Sequence, residues 1–198
     1  MSNLLFTRRS LLSASAFVPL AAHARSQEAE TEPPRRFMME NAANGEVVTD
    51  DILLGKISLL YFGYTHCPDI CPTSLLQMAD VMKALGPEAT RVQPVFVTVD
   101  PDRDTLAVMR EYVKSFDERF LPLRGPRAYT DAMVKAYNAK YDIQKPTGDD
   151  PSIYTVDHTA SLAMIGPDGR LQKRFPYGLA TDEIVASVKA LLKDWPAP

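Results

Sequence analysis

The chain has 198 residues, 45% hydrophobic and 24% charged, which suits one globular domain with a sizeable core plus additional segments. A formal charge of -3 leaves no basic footprint, so nucleic acid is not an expected partner. No apolar run reaches the ~18 residues of a membrane span, so no transmembrane helix is expected.

The first segment differs in kind from the rest. MSNLLFTRRS is basic through Arg8 and Arg9, LLSASAFVPLAA is apolar, and Ala22-His23-Ala24 offers the small residues a signal peptidase needs. Residues 1–24 are therefore expected to be a secretory signal, and the alternative is an uncleaved anchor. Thr7-Arg8-Arg9-Ser10-Leu11-Leu12 also resembles a twin-arginine export signal. Residues 25–36 (RSQEAETEPPRR) are polar and proline-bearing, as in a linker. The globular domain is expected over 37–196. Export places the chain where a disulfide can persist and where reduced thiols need partners to maintain them.

Asn44-Gly45, between FMMENAA and EVVTDDILL, predicts an N-terminal β-hairpin. Ile57 to Phe62 is a near-continuous apolar run, as in a strand covered on both faces. Leu75, Met78, Met82 and Leu85 recur at helical spacing, and Gly86-Pro87 ends that helix. Val95 to Val99 reads as a second buried strand whose start Pro94 delays. Helices are expected at Thr105 to Phe116 and Tyr129 to Tyr141. Strands at Ser161 to Ile165 and Leu171 to Phe175 flank Gly166-Pro167-Asp168-Gly169, and an amphipathic helix runs from Thr181 to Leu192. This order predicts an α/β, thioredoxin-like three-layer domain with a central mixed β-sheet. The methionine and leucine stripes belong to its core.

Cys67 and Cys71 are the only cysteines and lie in YFGYTHCPDICPTS. Pro68 suits a helical first turn, while Pro72 disfavours helical geometry at Cys71, so the helix is expected from about Pro72. Both sulfurs then lie at a helix N-terminus, where the peptide dipoles favour thiolates. At this spacing they approach to about 6 Å, which permits a disulfide or a shared ion.

Three readings stay open at this point. A purely structural Cys67–Cys71 disulfide closes too small a loop to constrain the unfolded chain much. A thiol–disulfide pair is plausible, although the familiar redox motif has two intervening residues and this one has three. A metal site needs a further ligand, and after export only His66 and His158 remain. His66 adjoins Cys67, so its ring is expected to point elsewhere. His158 lies just before the strand at Ser161, and in a thioredoxin-like sheet that loop faces the cysteine turn. Structural zinc usually takes four protein ligands, whereas two thiolates and one imidazole suit copper, Cu(I) or Cu(II).

Cys67-Pro68-Asp69-Ile70-Cys71-Pro72, preceded by Tyr61 to Thr65, resembles the signature of the Sco/SenC copper chaperones. Phe96 to Thr105 resembles the second block of that family, and Tyr154 to Thr159 with Ile165 to Arg170 the third. The resemblance runs from about Phe37 to Leu192. It implies a thioredoxin-like domain that delivers copper to the dinuclear copper centre of cytochrome c oxidase subunit II, with Cys67, Cys71 and His158 as ligands. It also implies thiol redox work on that subunit, and partners that include a copper donor or thiol reductant. Many family members carry a membrane anchor. This chain is expected instead to carry a cleavable signal and to reside in the bacterial periplasm. In the acidic block, Asp104 is expected to cap the next helix and Asp100 or Asp102 to pair with Arg103. Asp149, Asp150 and Asp157 are expected to be solvated.

Overall fold

The computed structural model describes residues 37–146 and 148–195; the expected signal segment 1–24, the linker 25–36 and the domain's end at 196 lie outside them. Met38–Asn41 (β1) and Val47–Thr49 (β2) form the N-terminal hairpin, with Met38 opposite Thr49. Gly45 takes a φ of 78°, and its N–H donates to the Asn41 carbonyl at 2.7 Å. Glycine reaches that left-handed backbone at no steric cost.

Ile57–Gly63 (β3) is buried at every position, so both of its faces are covered. Val92–Thr98 (β4) pairs with it in parallel, and Leu121–Arg124 (β5) continues in parallel beyond β4. Leu162–Ile165 (β8) and Leu171–Phe175 (β9) add antiparallel strands on the other side of β3. The seven-stranded order is β2-β1-β5-β4-β3-β8-β9. Helices α1 (Ile70–Leu85), α2 (Leu106–Lys114), α3 (Arg127–Ala136) and α4 (Thr181–Asp194) complete the domain. α1 and α4 pack against each other, and α2 packs against β5, with Tyr112 on Phe96 of β4 at a ring separation of 5.8 Å. The mixed sheet is the middle of three layers, in the thioredoxin-like arrangement.

Several boundaries differ from expectation. α1 begins at Ile70, two residues before Pro72, because first-turn N–H groups have no intrahelical acceptor and a missing donor there costs nothing. β4 begins at Val92 and runs through Pro94; the ladder to β5 starts only at Val95, opposite Leu121. β5 was not expected, since Pro122 interrupts it. Its carbonyl nonetheless accepts from Ala42 N–H at 2.8 Å, joining β5 to the hairpin. α3 ends at Ala136, before the expected Tyr141, because Asn138 enters the left-handed region at φ 51°. Tyr141–Ile143 (β6) instead pairs with Val156–His158 (β7) as a separate two-stranded ribbon, placing Tyr141 opposite His158.

Candidate metal centre

β3 delivers the chain to the site. After Gly63 the backbone turns, with Cys67 N–H donating to the Tyr64 carbonyl at 3.3 Å, and α1 starts with Asp69 at its N-cap. Cys71 is the second residue of the helix and is fully buried, while Cys67 lies just before the helix with 9% exposure. Both are free thiols. They share one proton unequally. A hydrogen bond from Cys71, working against burial, holds the Cys67 thiol far below its usual value, with help from His158 and the backbone N–H groups of Asp69 and Cys71. The same bond to Cys67, together with burial, pushes the Cys71 thiol up, although Tyr64 N–H donates to its sulfur. Cys67 is thus the standing thiolate, favoured by the unpaired N–H groups of the helix terminus.

His158 ends β7 and completes the group. Its Nε2 is 3.2 Å from Cys71 Sγ, and its Nδ1 is 3.3 Å from the Thr159 carbonyl. A carbonyl only accepts, so Nδ1 donates to it, and Nε2 is the nitrogen turned toward the sulfurs. Tyr61 and Tyr64 meet the imidazole edge to face at 5.8 and 5.9 Å. The ligand atoms of Cys67, Cys71 and His158 all lie within 4.8 Å of one another. Among the described residues no other Cys, His, Asp or Glu joins this group. His66 is turned away: its Nδ1 contacts Thr65 Oγ1 at 3.1 Å and lies 3.6 Å from Asp104, and its side chain is half exposed.

The acidic block is a bracket behind the site. Asp100, fully buried, pairs with Arg103 and accepts from the Tyr154 hydroxyl at 2.7 Å. Arg103 stacks on the Tyr154 ring at 3.5 Å and donates to its carbonyl at 2.8 Å. These contacts tie the segment before His158 to the end of β4. Asp102 pairs with Arg127 instead. Asp104 does not cap α2; Thr105 does, accepting from Val108 N–H at 3.2 Å. Asp104 is buried and accepts from the Thr65 backbone and the hydroxyls of Thr65 and Thr98, with burial raising its carboxyl. Asp149 and Asp150 are exposed, as is Asp157, whose carboxylate accepts from Gln144 Nε2 at 2.7 Å.

Sequence reasoning assigned no role to Gly63. A Cβ there would stand 2.9 Å from Cys71 Sγ, so the bare backbone makes room for the sulfur. A glycine ending a buried strand is the signal that could have revealed this close approach. Nor did the sequence assign Tyr61, Tyr64 or Tyr154 to the site's architecture; a tyrosine in a strand or a loop looks the same whether or not it touches a candidate ligand.

Two sulfurs and one imidazole nitrogen make a low-coordination soft-ion site, and the same sulfurs are placed for a disulfide. The model of the SCO1/SenC family matches residues 25–193. A SCO2-like protein of Rickettsia felis is 37% identical over 146 residues, covering 74% of this chain and 71% of that protein. Among solved structures, Bradyrhizobium japonicum ScoI with copper bound is similar at 39% identity and a TM-score of 0.72, covering 79% of this chain and 98% of that one. BsSco, described as having a disulfide switch and as a member of the Sco family of cytochrome c oxidase assembly proteins, is similar at 26% identity. Its TM-score is 0.61, and the match covers 79% of this chain and 91% of that one. The chain belongs to the SCO1/SenC family.

Proposed function

We propose that this family member is a copper-binding metallochaperone that serves cytochrome c oxidase assembly by delivering copper to the dinuclear centre of subunit II. The observation that carries the reading is the approach of Cys67 Sγ, Cys71 Sγ and His158 Nε2 to within 4.8 Å of one another. Copper is the cargo, and Cu(I) is the state that best suits two thiolates and one imidazole. Cys67 and His158 retain some exposure whereas Cys71 has none. Incoming ligands of the recipient therefore displace Cys67 and His158 first and Cys71 last. Residues 1–24 direct export to the periplasm, where the reduced site is loaded by a copper donor.

Mixing the reduced, copper-loaded protein with the metal-free soluble domain of subunit II tests this reading. The dinuclear centre's absorption should appear as copper leaves the chaperone. Failure of transfer, with the same domain accepting free copper, would overturn delivery.

One observation favours thiol exchange as a second activity: the standing thiolate at Cys67 beside the buried, proton-holding Cys71. Cys67 attacks a substrate disulfide to form a mixed disulfide. Cys71 then attacks the Cys67 sulfur, releasing the substrate as a dithiol that takes up the Cys71 proton and a second proton from water, and leaving Cys67–Cys71 oxidised. A dithiol reductant returns the pair to its starting state.

A further inference from the structure

One buried side chain touches both Cys71 and His158. Tyr61 is fully buried on β3, and its hydroxyl lies 4.0 Å from Cys71 Sγ, a long O–H···S contact. The ring of the same residue stands at 87° to the His158 imidazole. Tyr64, on the following turn, meets that imidazole at 89°, so two tyrosines contact the ring. The hydroxyls have different tasks. Tyr61 donates toward the sulfur, whereas Tyr64 Oη accepts from Val156 N–H at 3.3 Å. Tyr61 has little freedom to leave. It pairs across the sheet with Phe96, which packs on Tyr112, which packs in turn on Phe116.

We propose that Tyr61 is a positioning residue of the centre, its hydroxyl holding the Cys71 sulfur and its ring, with that of Tyr64, fixing the plane of His158. The proposal rests on the copper reading of the site, but its physical content is already present in the metal-free protein. Donation toward a sulfur favours the reduced state, because a thiol or thiolate is a better acceptor than a disulfide sulfur. Ring confinement keeps Nε2 aimed at the sulfurs, so less ordering remains to be done when an ion binds.

The test compares the full mature protein with Tyr61→Phe and Tyr64→Phe, each of which removes one hydroxyl and keeps the ring. The metal-free proteins are equilibrated in dithiothreitol redox buffers and the Cys67–Cys71 dithiol fraction is read by thiol labelling. Tyr61→Phe should shift the equilibrium about three- to tenfold toward the disulfide, a potential ~15–30 mV more negative. Tyr64→Phe should lower the melting temperature through the lost Val156 acceptor but leave the potential in place. An unchanged potential in Tyr61→Phe, or an equal shift in both variants, would overturn the proposal. Titration of the same proteins with copper(II) should change the sulfur-to-copper absorption in Tyr61→Phe and not in Tyr64→Phe. If the parent binds no copper, the chaperone reading fails while the metal-free comparison still decides the role of Tyr61.

Discussion

Gly63→Ala is a one-methyl perturbation whose consequences follow from the packing behind Cys71. An added Cβ would meet Cys71 Sγ at 2.9 Å, Tyr61 Cε1 at 3.0 Å and Phe96 Cε2 at 3.1 Å. Comfortable contacts between such atoms lie at roughly 3.5–4.0 Å, so three neighbours are each too close by about half an ångström or more. All three belong to buried residues, two of them rings in the sheet core. Overpacking of this kind costs about 1–3 kcal/mol. In a domain of this size that lowers the melting temperature by ~3–10 °C. Part of the strain is relieved by moving the Cys71 sulfur, so copper affinity should fall about tenfold, roughly 1.4 kcal/mol. Gly45→Ala is the matched control. Its φ of 78° makes alanine unfavourable by about 1 kcal/mol, but nothing lies within 4 Å of its Cβ, and it is in the distant hairpin. It should lose stability and keep copper affinity. Thermal melts and competitive Cu(I) titrations read both effects. Parent-like melting and affinity in Gly63→Ala would refute the close packing of Cys71 against β3.

Three further outcomes are expected. With its thiol held far below the ordinary value, Cys67 in the reduced metal-free protein should react with iodoacetamide well below neutral pH while Cys71 stays protected; the lowered value also means that its stabilising contribution is present above the ordinary thiol range and lost as pH falls. Mass spectrometry of alkylation against pH checks this, and equal labelling of both cysteines would contradict it. Arg103→Ala leaves buried Asp100 without its cation and should cost ~3 kcal/mol, with faster hydrogen exchange over Ser152 to His158 and weaker copper binding; unchanged exchange there would dissolve the bracket. Oxidation to a Cys67–Cys71 disulfide should abolish copper binding, since a sulfur in that bond is no longer a thiolate ligand, and full affinity in the oxidised protein would count against it.

The parts legible in the sequence are those that carry their own signal. Ile57 to Phe62 is apolar at every position but Ser58 because β3 is covered on both faces, and the leucine and methionine spacing of α1 marks its buried side. Cys67, Cys71 and His158 could be singled out because thiols and imidazoles are rare in this chain, and the fold brings these three together. β5 was hidden because Pro122 argues against a strand, and only its neighbours β4 and β1 make the pairing worthwhile. β6 and β7 are three residues each and mostly polar or half-exposed, too short to show a period. Their pairing is a long-range event, yet it is what brings His158 beside Cys71. The bracket of Asp100, Arg103 and Tyr154 was visible only in part: a local pairing with Arg103 could be anticipated, whereas Tyr154 arrives from 54 residues away.

The central claim is that one copper ion is held by Cys67, Cys71 and His158. Copper-edge X-ray absorption of the reduced, singly loaded protein, compared with His158→Ala, tests it most directly. Two sulfur neighbours and one imidazole nitrogen are predicted, with the nitrogen scattering lost in the variant and no such loss in His66→Ala. An identical spectrum in the parent and His158→Ala would contradict the account.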